Sequence, residues 1–147
     1  MQVMVLSGTT VVQLDESELR CMVERGKSIG DLKQLLSTQV GCSRFQQRLF
    51  SDDLGELVDD MSLRQLPTVG LVILPFCAFD KIMDEELLRN CKANDVDEIE
   101  GLLQRPQDPN GEVCSLQLNG HLEVVQLFLE AGASNAFWGN CFVACCH

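Results

Sequence analysis

The residues best suited to chemistry are three cysteines and a histidine in the stretch CFVACCH, at positions 141–147. Thiolates and imidazoles are ligands that zinc prefers in proteins. Paired zinc ligands usually have two to four residues between them, whereas Cys145 and Cys146 are adjacent. We therefore predict no metal site and interpret the stretch as the start of a further structural repeat that is cut short. A disulfide or a lipid-modified cysteine here is a less favoured alternative.

Histidines and paired acids are residue types that nucleophilic and acid–base catalysis require. The chain has two histidines, and one of them is the last residue, so a Cys–His nucleophile pair has little support. The acid pairs fit turns and helix starts, and no second group is indicated opposite any of them across a pocket. These pairs are Asp52–Asp53, Asp59–Asp60 and Asp84–Glu86.

The stretch GKS, at positions 26–28, resembles the end of a phosphate-binding loop. Such a loop requires a glycine five residues before the glycine of this triplet, and that position holds Cys21. Ser28 is better placed as the cap of a helix. We therefore expect neither enzyme activity nor a bound cofactor.

The composition narrows the classes of partner. Asp and Glu number 22 against 11 Lys and Arg, which gives a net charge of −11. Nucleic acids and anionic membrane surfaces require a basic face, so neither is an expected partner. No apolar run approaches the ~18–20 residues that cross a bilayer, and the N-terminus lacks the pattern of a signal peptide. The eight cysteines are therefore expected to be reduced, in the cytoplasm or the nucleus.

Alternating apolar residues predict strands at the start of the chain. MQVMVLSG alternates along its length, which is typical of a strand with one buried face. Ser7–Gly8 is a turn pair, and TVVQL at 10–14 predicts a second strand. The next stretch, DESELRCMVERGK, alternates as well, at Leu19, Cys21 and Val23. This alternation leaves open whether the second strand lies at 10–14 or in this stretch.

A helix with a signal at each end follows at positions 28–41. Ser28 is placed to cap its start, and Asp31 stands three residues on, as in a capping box. Gly41 is placed to end the helix in the left-handed conformation. Between them, apolar residues at helical spacing predict one buried face.

Strands resume after this helix. FQQRLF at 45–50 predicts a third strand, and Asp52–Asp53 predicts a turn. ELVDDMSLRQL indicates a short strand and then a short helical turn, which Pro67 ends. GLVILPF at 70–76 predicts a last strand that is apolar enough to lie centrally in a sheet.

Two strands, one helix and further strands form the order of a β-grasp fold, and the residues resemble ubiquitin over about 1–77. MQVMVLSG resembles its opening, QQRLF and GELVDDMSLRQL resemble its middle, and VGLVIL resembles its last strand. Ubiquitin-type modifiers end in a Gly-Gly tail, whereas this strand continues into LPFCAFDK. The resemblance therefore implies a fused ubiquitin-like domain that is not conjugated.

The resemblance also implies a protein-binding patch on the outer face of the sheet. The matching positions are Leu6, Phe50, Val72 and Leu74, with Arg48 at the edge. An exposed apolar patch usually marks an interaction site. We favour binding of a protein partner, such as a ubiquitin-pathway receptor. The alternative is that the patch packs against the helices that follow.

The second half has the pattern of paired helices. Apolar residues at helical spacing predict helices at 83–95 and 96–105, and prolines after position 105 end the second. The apolar positions of 96–103 recur at 122–129, an offset of 26 residues. Two helix pairs with the same internal layout indicate a repeat.

The residues of these units resemble the ankyrin family. NGHLEVVQLFLEAGA, at 119–133, resembles the second helix of an ankyrin repeat and its exit. The resemblance implies a turn at Asn119, Gly120 and His121, apolar packing by Leu122, Val125, Leu127 and Leu129, and release of the helix at Gly132. The combination with a ubiquitin-like start is similar to ankyrin repeat proteins of dinoflagellate algae.

The array departs from the ankyrin pattern. Ankyrin repeats recur at about 33 residues, and the TPLH segment that opens the first helix of each repeat is absent here. The first helix of the second pair, at 113–118, would have barely two turns. A helix of that length is not stable without packing.

These interpretations define an α+β chain with a ubiquitin-like domain at 1–77 and ankyrin-type helix pairs at 78–147. The repeats are placed at about 83–109 and 111–136, and a third is truncated. The expected function is that of a protein–protein interaction adaptor or scaffold. The alternative is a fragment of a longer ankyrin repeat protein that has no independent activity.

Overall fold

A computed structural model of the chain describes residues 1–5, 10–64, 68–77, 80–106, 108–109 and 121–133. The described residues contain both a mixed β-sheet and α-helices, in agreement with the predicted α+β class. The chain divides into two units, Met1–Leu74 and Pro75–His147, which we call the sheet unit and the helical unit. The boundary that the sequence suggests, after residue 77, lies three residues further along.

The sheet unit contains five strands in the order β2-β1-β5-β3-β4. The strands are β1 Gln2–Val5, β2 Thr10–Gln13, β3 Gln47–Ser51, β4 Gly55–Leu57 and β5 Thr68–Ile73. β1 and β5 are parallel, and the other neighbouring pairs are antiparallel. β5 lies at the centre, as its apolar composition predicts. It ends before Pro75, which has no N–H to donate to a ladder.

Helix α1, Glu16–Glu24, occupies the stretch whose alternation left a second strand open. The strand alternative is therefore wrong, and β2 lies where TVVQL predicts it. Leu19 is buried, and Met22 and Val23 pack against the same core, at the i+3 and i+4 positions of a helix. Glu16 and Glu18 stand in the first turn, where the helix dipole favours acids.

Helix α2, Ile29–Val40, has the ends that the sequence predicts. The Ser28 hydroxyl accepts from the Asp31 N–H at 3.2 Å, and the Asp31 carboxylate accepts from the Ser28 N–H at 2.8 Å. Gly41 has a φ of 74°, in the left-handed region, and its N–H donates to Ser37. The capping box and the glycine exit are both confirmed.

The core of the sheet unit lies between the inner face of the sheet and the two helices. Alternate residues of each strand point inward, while α1 and α2 contribute their apolar faces. The buried members are Val3, Val12, Leu14, Leu19, Ile29, Leu32, Leu36, Leu49, Leu57, Leu63, Val69 and Leu71. Residues 59–60 form a turn, and Ser62 forms a bridge with Ser28. The helical turn predicted after the short strand extends into residues 65–67, which lie outside the described part.

The helical unit contains α3 Lys81–Ala93, α4 Val96–Leu103 and α5 Leu122–Glu130. α3 packs against α4, and α4 packs against α5. The carboxylates of Asp80 and Asp95 cap α3 and α4 by accepting from Ile82 and Glu98 N–H groups. Asn94, with a φ of 55°, ends α3. The predicted helix at 113–118 and the truncated third repeat lie outside the described residues.

Candidate functional site

Three of the predicted patch residues lie on the outer face of the sheet, which is the face turned away from the core. Arg48 and Phe50 alternate with the buried Leu49 in β3, and Val72 stands beside the buried Leu71 in β5. Arg48 lies directly opposite Val72 across the β3–β5 pair. Strand alternation and register therefore bring these three side chains to the same face.

Leu74 continues this face beyond the end of β5. Its N–H donates to the Gln46 carbonyl at 2.8 Å, and the Gln46 amide donates back to the Leu74 carbonyl at 3.2 Å. Leu74 is half-buried and follows Val72 by two residues, which places it on the same side in an extended chain. Leu6, the remaining predicted member, lies outside the described residues.

A row of three residues crosses the middle of the outer face. Met4 in β1 is the register partner of Gly70 in β5, and Gly70 is the partner of Phe50 in β3. Phe50 is 38% exposed and Met4 is half-buried. Met4 and Gly70 are members of this surface that the resemblance to ubiquitin did not indicate. Strand alternation places Met4 outward, but only the register shows that Gly70 separates it from Phe50.

Arg48 is fixed at the edge of the face by contacts within the sheet unit. Its Nε lies 3.4 Å from the Glu56 carboxylate, and its Nη1 donates to the Phe45 and Gln47 carbonyls at 3.1 Å each. The guanidinium is thus oriented by backbone groups and paired with an acid. Arg48 contributes a rigid, charge-compensated edge to the apolar face.

Polar groups on the inner side of the sheet hold β3 in position. The Gln47 side chain is fully buried, and its amide donates to the Lys33 carbonyl, the Ser37 hydroxyl and the Cys42 carbonyl. These contacts tie β3 to α2 and to the loop that follows it. They hold β3 in place, and the Arg48 and Phe50 side chains of this strand point outward.

A buried ion triad fixes the loop after β4. Lys33 is only 2% exposed and pairs with the Asp59 carboxylate, which also pairs with Arg44 at 2.9 Å. The Arg44 guanidinium in turn stacks over the Phe45 ring, 4.1 Å from its centroid. Because Lys33 is nearly buried, its charge requires the compensation that Asp59 provides.

The described cysteines differ in burial, which affects the reactivity of their thiols. Burial raises the pKa of the Cys42 and Cys91 thiols, to about 11 for Cys91, which disfavours the reactive thiolate. A groove beside α1 contains the Cys21 thiol, but acids, a serine and an arginine line the rest of it. Across the part of the chain that the structure describes, no three His, Cys, Asp or Glu side chains come together as metal ligands.

The predicted ankyrin positions at α5 have mixed outcomes. His121 precedes the helix, and its carbonyl accepts from the Val125 N–H at 3.1 Å. Gly132 has a φ of 100° and follows the helix end, as predicted for a release residue. Val125 and Leu127 are buried, in agreement with their expected packing role. Asn119 and Gly120 lie outside the described residues.

Leu122 and Leu129, for which apolar packing is also predicted, have side chains that are 63% and 38% exposed. At 100° per residue they lie together on a stripe that points away from Val124 and Phe128, the most buried side chains of α5. Apolar residues therefore lie on an exposed side of α5 as well as on the side that it buries.

The buried faces of α4 and α5 differ although the apolar residues of the two helices align at an offset of 26. In α4 the buried residues are Ile99 and Leu103, whose counterparts in α5 are Val125 and Leu129. α5 instead buries Val124 and Phe128 most deeply, while the equivalent face of α4 is more exposed. Both helices bury the position that Ile99 and Val125 share, but the most buried side of α5 is rotated by roughly 100° from that of α4.

Among the described residues, no helix is both long and apolar enough to cross a bilayer. Comparison of the chain with models of protein families, with characterised proteins and with solved structures gives no match.

Proposed function

We propose that the sheet unit is a ubiquitin-like, β-grasp docking domain whose outer face binds a protein partner. The strand order β2-β1-β5-β3-β4, with its parallel β1–β5 pair, supports a β-grasp arrangement. The observation that carries the binding role is the exposure of Phe50, at 38%, beside Val72 on the side of the sheet that faces away from the core. An aromatic side chain in such a position is typical of an interaction surface.

The helical unit serves, in this proposal, as an ankyrin-type stack that holds a second protein. The packing of α3 against α4 and of α4 against α5 supports a stack of neighbouring units, and helix stacks present extended surfaces to partners. The chain as a whole is then an adaptor in the cytoplasm or the nucleus. Its sheet unit docks on a ubiquitin-pathway receptor, and no enzyme activity is required.

The test is binding of the purified chain to a panel of immobilised ubiquitin-binding domains from proteasomal and other ubiquitin receptors. Phe50→Ala is expected to weaken binding about tenfold or more, since a central aromatic anchor commonly contributes over 1.4 kcal/mol. Val58→Ala is the matched control, because Val58 is 50% exposed in the same unit and lies outside the row of Phe50. Its affinity should stay within about twofold of the wild type.

Binding that is equal in the wild type and in folded Phe50→Ala protein would refute the docking role of this face. Circular dichroism and thermal unfolding establish that the variant is folded. Phe50 lies on the outer face, so its replacement should leave the core intact.

A fragment of a longer ankyrin array is the second candidate, and the exposure of Leu122 and Leu129 favours it. In α4 the counterpart of Leu129, Leu103, is covered, so a further unit stacked on α5 would cover Leu129 in the same manner. The full-length transcript distinguishes the two. A reading frame that continues past position 147 into another helix pair supports the fragment, and a stop codon there counts against it.

A further inference from the structure

We infer that the docking face selects its protein partner by charge: the partner places a lysine or arginine against Glu56, beside the apolar group that covers Phe50. The inference rests on the proposed docking role of this face and names the chemistry of the partner surface. It follows from the position of Glu56, from the contacts that Arg48 already makes, and from the acids of the neighbouring turn.

Glu56 stands directly beside Phe50 on the outer face. The β3–β4 register pairs Phe50 with Glu56, while the buried Leu49 pairs with the buried Leu57. Side chains that face each other across an antiparallel pair have Cβ atoms about 4.5–5.5 Å apart. The Glu56 side chain is 48% exposed. A protein that covers Phe50 therefore also contacts the Glu56 carboxylate.

Arg48, the cation of this face, is already engaged within the sheet unit. Its Nε lies 3.4 Å from Glu56 Oε1, and its Nη1 donates to two backbone carbonyls, those of Phe45 and Gln47. Its side chain is 18% exposed, against 48% for Glu56. A carboxylate of the partner would have to compete for Arg48. A carboxylate accepts about four hydrogen bonds, so Glu56 can still accept from a cation of the partner.

The turn at 52–54, which joins β3 to β4, adds negative charge on the same side. Asp52 and Asp53 follow Phe50 by two and three residues, and both are exposed. Among the residues that the structure describes, no lysine or arginine pairs with either carboxylate. Together with Glu56 they give three acids against the one cation Arg48. The net charge of −11 acts in the same direction.

This distribution favours a basic partner surface over an acidic or a purely apolar one. An acidic surface would be repelled by the acids next to Phe50, and like charges across an interface strongly disfavour a complex. A purely apolar surface would remove water from Glu56 without supplying a new partner for its charge. A lysine or arginine beside an apolar group satisfies both parts of the face.

The experiment measures affinity for the receptor domain that binds the wild type most tightly in the panel, at about 50 mM and about 500 mM salt. Glu56→Gln should weaken binding about fivefold at low salt, because it removes the carboxylate and leaves Arg48 facing a basic partner. Arg48→Gln should strengthen binding about twofold, because it removes the internal competitor for Glu56. Both differences should shrink at high salt, which screens exposed charges.

Glu18→Gln is the matched control for net charge. Glu18 is exposed on α1, which packs against the inner face of the sheet, so this variant loses the same charge on the far side of the unit. Its affinity should stay within about twofold of the wild type. Asp53→Asn provides a second test if Glu56→Gln proves to be unfolded, since asparagine suits a turn. It should weaken binding about threefold at low salt.

The partner can be tested from its own side. Each lysine and arginine of the receptor domain is replaced by glutamine and measured with wild type and with Glu56→Gln. One of these replacements should show a coupling of about threefold or more with Glu56→Gln, as expected for two charges in contact. Coupling with none of them counts against the inference.

The outcomes separate charge selection from the docking role. Phe50→Ala should weaken binding at both salt concentrations, because salt does not screen an apolar contact. If it does so while folded Glu56→Gln and Asp53→Asn bind as tightly as the wild type, charge selection is overturned and the docking face remains. Weaker binding of folded Arg48→Gln at low salt also overturns charge selection alone. Equal binding of wild type and Phe50→Ala, or no binding of the wild type to any domain, overturns both.

Discussion

The sheet unit and the helical unit bury their apolar residues in different ways. The sheet unit encloses its core between one face of the sheet and two helices, and it adds buried polar contacts at Lys33 and Gln47. The helices of the helical unit each bury part of their apolar surface, and α5 leaves Leu122 and Leu129 exposed. The sheet unit therefore encloses its core, whereas the helical unit retains exposed apolar surface that a further helix could cover.

This difference follows from topology. The sheet joins residues far apart in sequence, such as the parallel β1 and β5, so removal of one anchor disturbs the whole unit. A helix stack is built from neighbouring units, and each helix depends mainly on the one beside it. We therefore expect a sheet-unit variant to act globally and a helical-unit variant to act locally.

The largest effect is expected from Asp59→Ala in the sheet unit. The change leaves Lys33, which is 2% exposed, and Arg44 without the carboxylate that compensates them. Removing one partner of a buried ion pair typically costs about 3–5 kcal/mol. Chemical denaturation monitored by circular dichroism should show a loss of this size. Hydrogen exchange should accelerate in all five strands together.

Asp60→Ala is the matched control, because Asp60 is the adjacent residue and is exposed. Its effect on the free energy of unfolding should stay within about 0.5 kcal/mol. A similar, small effect in both variants would contradict the view that the triad is an essential anchor. Acceleration of exchange in β4 alone would contradict the global response expected of the sheet unit.

A somewhat smaller and more local effect is expected from Phe128→Ala in the helical unit. Phe128 is 1% exposed, and deletion of a buried phenylalanine costs about 3 kcal/mol or more. Leu129→Ala, at the next position of the same helix, should cost clearly less, about 1 kcal/mol, because Leu129 is 38% exposed. Hydrogen exchange of the α4 and α5 amides measures both.

Exchange in the strands should be unchanged by either of these variants. An equal cost for Phe128→Ala and Leu129→Ala would mean that the stripe of Leu122 and Leu129 is covered in solution. Accelerated exchange in the sheet as well would show that the two units unfold together. Either result would weaken the contrast between a self-contained sheet and an open stack.

Local signals in the sequence predicted much of this fold. Ser28, Asp31 and Gly41 mark the ends of α2 by chemistry that acts within a few residues, and the structure confirms each of them. The α1 segment was ambiguous because Leu19 and Val23 fit both a strand period and a helical spacing. The first-turn acids Glu16 and Glu18 were the signal that favours the helix.

The candidate site was predictable only in part. Alternation within single strands places Arg48, Phe50 and Val72 outward, and the structure shows them on one face. The row of Met4, Gly70 and Phe50 depends on the register between three strands, which the pattern of a single strand does not reveal. The exposure of Leu129 was missed for a related reason, since an apolar stripe does not reveal which of its residues a neighbouring helix covers.

The smallest effect is expected at the capping box of α2, where the sheet unit gains stability from charge. The Ser28 backbone N–H, assisted by Lys27, holds the pKa of the Asp31 carboxyl below its ordinary value of 3.8. Asp31→Asn should cost about 1 kcal/mol or less at neutral pH, because a capping contact of this kind is worth about that much and the side chain is partly exposed. Denaturation at a series of pH values measures the difference.

The pH dependence of this difference has a definite sign. Because the carboxylate form is favoured in the folded chain, its contribution is fully present above pH 3.8 and is lost as the pH falls through the folded-state pKa. The free-energy gap between wild type and Asp31→Asn should therefore be constant from pH 7 to about pH 5 and shrink below pH 4. A gap that stays constant in acid would show that the asparagine loses hydrogen-bond geometry rather than charge. The capping box would then stabilise α2 through hydrogen-bond geometry alone, unlike the ion triad at Asp59, which depends on charge.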